Sequence, residues 1–151
     1  MSTEIDLVGK RVLAISISEE YLHFETDAGP VTFRVEGDCC SWSYFYDFTG
    51  VANVLGRRVR SLSPEPAVYD EGLDDEYAKH SESAASYVFE ITTKRGTARF
   101  SHRNDSNGYY GGMMMRVNAI PPGTTLVPVT RDGHAVRDAG WGRDTVRWRW
   151  V

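Results

Sequence analysis

Residues 103–112 read R-N-D-S-N-G-Y-Y-G-G and combine turn-forming residues with two aromatic rings. It follows a strand-like run, Tyr87–Phe100, and precedes an apolar run, Met113–Val117. Asn107–Gly108 is a strong turn signal because both residues tolerate a positive φ. Gly111–Gly112 then leaves the backbone without side chains just after two tyrosines. The pattern predicts a loop between two β-strands.

The same loop carries the side chains that a nucleotide-like ligand needs. Aromatic rings stack on a base, amides read its edges, and an arginine with bare N–H groups meets phosphate. The alternative is a hairpin loop whose tyrosines pack on the sheet, since turn chemistry accounts for most of these residues. The predicted ligand-binding residues are Arg103, Asn104, Asn107, Tyr109, Tyr110 and Arg116.

The first third of the chain predicts an antiparallel meander. Arg11–Ser18, Tyr21–Thr26 and Val31–Val35 alternate apolar and polar residues and are joined by tight turns. Val51–Leu55 is expected to be a short helix that ends at Gly56. The predicted fold class is therefore α+β and β-rich, with an antiparallel meander or sheet, one or two short helices and an extended C-terminal arm.

The segment Arg57–Ser63 reads as a strand with a basic exposed face. Such a run of charge is usually a solvated surface. A ligand-binding role for Arg57, Arg58 or Arg60 is the other interpretation, and both stay open.

Two later segments stand apart within a single predicted domain of residues 1–151. Residues 64–86 contain two prolines and a cluster of acids, which predicts an acidic surface insertion with one helical turn near Asp74–His80. Residues 131–151 form a Trp/Arg-rich C-terminal arm that ends R-W-R-W-V. This end could be a strand with both tryptophans on one face. We expect the arm to dock its tryptophans on another subunit rather than to bind single-stranded nucleic acid.

Composition narrows the class of protein. The 151 residues are 41% hydrophobic and 25% charged, with a net charge of −4. This balance argues against a general nucleic-acid binder, which would need a broad basic face. No run approaches the length of a membrane span. The adjacent pair Cys39–Cys40 and four scattered histidines show no metal-ligand spacing, so we expect no metal and no cofactor. The expected location is the cytosol.

Three motifs together resemble a known family. D-C-C at 38–40 is followed by aromatic residues, then by T-G-V-x-x-V-L-G at 49–56 and R-N-x-S-N-G-Y-Y-G-G at 103–112. The pattern resembles a small phage-encoded domain family and, within it, the first-described Thoeris anti-defence family. The resemblance covers roughly residues 10–117. The acidic insertion and the Trp/Arg tail are departures from that pattern.

The resemblance implies a non-enzymatic "sponge" that sequesters a nucleotide immune signal in the host bacterial cytosol. The signal would be a cyclic ADP-ribose isomer, a cyclic oligonucleotide or both, held by a homodimer or higher homo-oligomer near a subunit interface. One alternative is an enzyme that degrades such a signal, with His102 as the acid–base group. Another is a protein–protein inhibitor or structural phage protein that acts through the aromatic segment and the tail.

Overall fold

The computed structural model describes residues 6–37, 41–69, 83–106, 112–137 and 146–151. Within these ranges the chain forms two antiparallel β-sheets. The twelve strands are β1 (Val12–Ile17), β2 (Tyr21–Thr26), β3 (Gly29–Gly37), β4 (Trp42–Thr49), β5 (Val59–Pro64), β6 (Val68–Tyr69), β7 (Ser83–Thr93), β8 (Thr97–Ser106), β9 (Gly112–Val117), β10 (Val127–Pro128), β11 (Gly133–Arg137) and β12 (Val146–Trp150).

The first sheet has the order β10-β1-β2-β3-β9, and the second has the order β12-β11-β4-β8-β7-β5, with β6 paired to β7. The predicted meander is the centre of the first sheet, where β2 and β3 pair from Tyr21 opposite Arg34 to Thr26 opposite Gly29. Alternation places apolar residues on one face of each strand, and these faces need a partner to cover them.

The two sheets cover each other with aromatic side chains. Phe24 of β2 lies 6.2 Å from Phe48 of β4 and 6.4 Å from Phe100 of β8, measured between ring centroids. All three rings are fully buried. Burial of such large apolar surfaces is the main stabilising contribution in a chain of this size. The core therefore lies between the sheets and fixes their relative positions.

The α+β prediction is wrong. Strands make up most of the described residues, which contain no α-helix, and the helix expected at Val51–Leu55 is a 3₁₀ turn over Val51–Asn53. The segment is too short to propagate an α-helix between Gly50 and Gly56. Gly50 has a left-handed φ of 73°, and a Cβ there would lie 2.5 Å from the Thr97 carbonyl oxygen. The glycine turns the chain beneath the β7–β8 hairpin.

The acidic insertion is narrower than the sequence indicates. The segment predicted as an insertion contains β6 and the start of β7 at Ser83. These two strands pair with each other, with Val68 opposite Ser86. The helical turn expected at Asp74–His80 lies outside the described residues. No helix in the described part of the chain is long and apolar enough to cross a membrane.

The C-terminal arm is not extended where the structure describes it. The β12 strand pairs with β11, with Ala135 opposite Trp148, and β11 pairs with β4. Trp148 and Trp150 both pack against the core of their own chain, with ring centroids 6.3 Å apart. The expectation of a strand with two tryptophans on one face is confirmed. The described part of the arm is the edge of the second sheet, and the docking of these partly buried tryptophans on another subunit stays a prediction.

Candidate functional site

The motif stretch carries the chain from one sheet to the other. Its first four residues, Arg103–Ser106, are the end of β8, which pairs with β4 and β7 in the second sheet. Its last residue, Gly112, begins β9, which pairs with β3 in the first sheet. The hairpin alternative is therefore wrong, because β8 and β9 are not paired with each other. Asn107, Tyr109 and Tyr110 lie outside the described residues, and their ligand-binding role stays a prediction.

A cleft of about 690 Å³ opens where the two sheets come together near this crossing. Its walls are the β1–β2 turn, the end of β3, the start of β4 and the loop around Pro121. Pockets that hold small organic ligands usually measure about 300–1,000 Å³. We call this feature the cleft; the residues that line it are Ser18, Glu19, Glu20, Tyr21, Val35, Glu36, Gly37, Ser41, Trp42, Ser43, Pro121 and Thr124.

Asn104 stands behind the cleft wall and fixes two of its hydroxyl groups. Its Nδ2 donates to Ser43 Oγ at 2.9 Å and to Ser41 Oγ at 3.1 Å, and the residue is only 2% exposed. Gly112 lies opposite Gly37 in the β3–β9 pair. A Cβ on Gly112 would overlap Ser43 Oγ and lie 3.0 Å from Asn104 Nδ2. The glycines are required because serine and asparagine side chains already fill the space that a Cβ would occupy.

Trp42 provides the aromatic surface of the cleft. Its Nε1 donates to Glu19 Oε1 at 2.6 Å, and its ring centroid lies 4.5 Å from that of Tyr44. The Tyr44 hydroxyl in turn donates to Asp105 Oδ1 at 3.0 Å. Hydrogen bonds to a charged acceptor are among the stronger ones. The indole is thus held in one orientation from both its edge and its face.

Three glutamates give the described cleft walls a negative character. Glu19 accepts from Trp42, and Glu20 forms an ion pair of 2.7 Å with Arg34. The hydrogen bond that Arg34 Nε donates to Glu20 Oε1 at 2.8 Å raises the pKa of Arg34 above its ordinary value. The third, Glu36, is exposed and lines the cleft. Carboxylates accept hydrogen bonds from hydroxyl groups and repel phosphate. No local sequence pattern predicts that these three carboxylates lie together in the cleft walls.

Arg103 lies on the other face of the second sheet from Asn104, because successive strand residues point to opposite sides. Its guanidinium carbon lies 3.5 Å above the centroid of the Tyr46 ring, and the residue is 4% exposed. Arg116 is also outside the cleft lining and lies four residues along β9 from Gly112. Its Nη2 donates to the Pro30 carbonyl oxygen at 3.0 Å. Of the described site residues, only Asn104 adjoins the cleft.

Residues 5–115 match the protein family described as "Domain of unknown function (DUF7448)". The chain belongs to this family. It is also 27% identical over 115 residues to the uncharacterized protein L278 of Acanthamoeba polyphaga mimivirus. The aligned region covers 71% of this chain and 86% of the viral protein. No solved structure matches the chain significantly. The DUF7448 match includes Glu19, Trp42 and Asn104 but ends before Arg116, Pro121 and the β11–β12 pair.

The acid–base group of the enzyme alternative lies inside the DUF7448 core. His102 is 2% exposed, stacks on Tyr87 with ring centroids 5.0 Å apart, and lies near Phe45 and Phe89. Burial lowers the pKa of His102 to about 4. Its Nδ1 has no hydrogen-bond partner in the described part of the chain. A neutral imidazole enclosed by aromatic rings does not favour acid–base catalysis by His102, and the enzyme alternative stays a prediction.

Sequence reasoning missed the cleft residues of the DUF7448 domain outside the motif. The sequence marks Trp42 only as one of the aromatic residues that follow D-C-C at 38–40. The overlooked signal is S-W-S-Y at 41–44, in which serines alternate with rings at the start of a strand. Alternation puts Ser41 and Ser43 on the face of Asn104, while Trp42 and Tyr44 lie on the other.

Proposed function

We propose that this protein binds a small nucleotide signal in the cleft and holds it without cleaving it. The supporting observation is a cleft of about 690 Å³ beside Asn104, the one described member of the predicted site that adjoins this cleft. A volume of this size accommodates a molecule with the dimensions of a cyclic ADP-ribose isomer. The resemblance to the signal-sequestering family motivates the choice of ligand.

The chemistry of the walls favours the nucleoside part of such a ligand. Trp42 offers a flat surface on which a base or ribose can stack. The carboxylates of Glu19 and Glu36 accept hydrogen bonds from ribose hydroxyls, and the hydroxyls of Ser41 and Ser43 can donate or accept. Because Asn104 holds both serines in place, these groups need little reordering when a ligand enters. We therefore assign base and ribose to the described walls.

Phosphate groups are unfavourable against the same walls. Arg34 offsets the charge of Glu20. A phosphate beside Glu19 and Glu36 would still be repelled, and neither Arg103 nor Arg116 is among the residues that line the cleft. The phosphates of a bound signal would therefore face the mouth of the cleft. This orientation distinguishes the proposal from a pocket built mainly around an anion.

Calorimetric titration tests the proposal with cyclic ADP-ribose isomers, cyclic dinucleotides and cyclic trinucleotides. At tens of micromolar protein we expect heat from at least one of them. Loss of one stacking contact in Trp42→Ala should weaken binding by about ten- to a hundredfold. Tyr69→Ala is the matched control, since Tyr69 is an exposed ring away from the cleft.

Chromatography of the ligand recovered after incubation separates capture from catalysis. Intact ligand in stoichiometric amount is expected for sequestration. Products would instead indicate an enzyme, and absence of heat with every ligand would reject the binding proposal. Equal affinities of wild type and Trp42→Ala would show that the ligand binds outside the cleft.

A further inference from the structure

Positive charge is concentrated at the opposite end of the β1–β2 hairpin from the cleft. Five basic residues line a cavity of about 340 Å³ together with Gly56 and Val59. We call this cavity the basic pocket; its cations are Arg11, Arg57, Arg58, Arg60 and Lys94. The chain as a whole carries a net charge of −4, so this local excess does not follow from composition.

Two of these arginines are held side by side. Arg11 and Arg58 face each other in an antiparallel β-bridge. Like charges directly opposite each other destabilise a β-pair. The repulsion is not relieved by separation, because the main chain holds both side chains: Arg11 Nη1 donates to the Gly56 carbonyl oxygen at 2.9 Å, and Arg58 Nη1 donates to that of Gly9 at 2.6 Å.

The nearby carboxylate compensates only part of this charge. Asp27 accepts from the Arg11 backbone N–H at 2.9 Å and from Arg58 Nη2 at 3.2 Å. These interactions, the Arg11 N–H first, lower the pKa of Asp27 from its ordinary value. Among the described contacts Asp27 forms an ion pair with Arg58 alone of the five cations, and no acidic residue lines the described walls of the pocket.

We propose that the basic pocket binds the linear phosphate chain of a small molecule, such as pyrophosphate, tripolyphosphate or the phosphate tail of a nucleoside triphosphate. A linear chain places several negative charges close together, which matches cations gathered around one small cavity. No aromatic or amide side chain lines the described walls, so nothing there selects a base. Confinement of the charge to one pocket also disfavours an extended nucleic acid, which needs a long basic track.

This site is distinct from the cleft. The cleft adjoins Ser18 and Tyr21 at one end of the hairpin, whereas the basic pocket adjoins Arg11 at the other. The six residues of β1 between them span roughly 20 Å at about 3.4 Å per residue. Failure of one proposal therefore leaves the other untouched.

Calorimetry of the full chain with tripolyphosphate at low ionic strength is the direct test. We expect one equivalent to bind wild type, and the double variant Arg57→Gln/Arg60→Gln to bind at least about tenfold more weakly, because two charge-assisted contacts are lost. Both arginines are exposed, so the variant should stay folded, as its thermal unfolding will check. The matched control is Arg149→Gln, an exposed arginine on β12.

The comparisons between ligands decide what is recognised. Equal binding of ATP and tripolyphosphate supports a site for the phosphate chain alone, and tighter binding of ATP supports a nucleoside triphosphate. Absence of binding to wild type would overturn the proposal, as would an equal loss in Arg149→Gln. A cyclic dinucleotide that competes better than tripolyphosphate would overturn the assignment to a linear chain. Binding of tripolyphosphate should be unchanged in Trp42→Ala.

Discussion

The cleft and the basic pocket lie at opposite ends of one hairpin and are built by opposite means. The cleft wall consists of close-packed polar groups: Asn104 holds two serine hydroxyls, and glycines leave room for them. The basic pocket consists of exposed side chains that the main chain holds near one another. The shape of the cleft therefore depends on packing and is sensitive to a single added atom. The basic pocket depends on charge and is sensitive mainly to ionic strength.

The difference also predicts how each site responds to substitution. Changes behind the cleft should alter stability and binding together, because the same buried contacts support both. Changes in the basic pocket should alter binding with little effect on folding, since exposed side chains contribute little to stability. Three measurements test this contrast.

The largest expected effect is acid destabilisation through His102, which is buried on β8 two residues before Asn104. Burial lowers the pKa of His102 from an ordinary 6.5 to about 4, so the unfolded chain binds this proton more tightly than the folded one. The effect of His102 on stability is therefore absent above pH 6.5, where the ring is neutral in both states. As the pH falls toward 4, the free energy of unfolding decreases because the unfolded chain takes up the proton first. The free energy of unfolding should drop by up to about 3 kcal/mol across that interval.

Urea unfolding at several pH values measures this loss, and His102→Phe is the comparison. The variant should lack the His102 component, so its stability should fall less steeply with acid than that of wild type. An NMR titration of the His102 ring gives an independent pKa. Parallel pH profiles for the two proteins, or a ring that titrates near 6.5, would contradict the argument.

The next effect comes from adding one methyl group behind the cleft. Gly112→Ala places a Cβ on Ser43 Oγ and should destabilise the fold by about 2 kcal/mol, as overpacking usually does. Ser43→Ala removes the clashing oxygen. The double variant should therefore be more stable than the sum of the two single changes by about 1 kcal/mol, measured by urea unfolding. Strict additivity would mean that the two residues do not compete for the same space.

Much of the fold could be predicted from period-two patterns. The three strands of the meander and the R-W-R-W-V terminal strand appear close to where alternation predicts them. The helix at Val51–Leu55 could not be judged from its turn signals alone, because a glycine on each side fits a 3₁₀ turn equally well. The partner of β11–β12 depends on long-range packing, which local patterns do not encode.

The site was harder to predict than the fold. The motif lies where the chain crosses between the two sheets, and Asn104 adjoins the cleft there. The interpretation of the stretch as a loop groups Arg103 with Asn104. Both residues lie at the end of β8, where strand alternation places their side chains on opposite faces. Glu19 comes from the β1–β2 turn and Trp42 from β4, and only the assembled sheets bring them together.

The smallest expected effect is on the stability of the basic pocket. Arg57→Gln/Arg60→Gln should change the free energy of unfolding by less than about 0.5 kcal/mol, in the stabilising direction at low salt, because it relieves repulsion among five cations. Arg99→Gln is the matched opposite: Arg99 pairs with Glu65 and Glu90, so its loss should be slightly destabilising. Both differences should shrink as salt screens them. If the double variant lost more than about 1 kcal/mol, its arginines would be structural, and the contrast between a packed cleft and a charged pocket would fail.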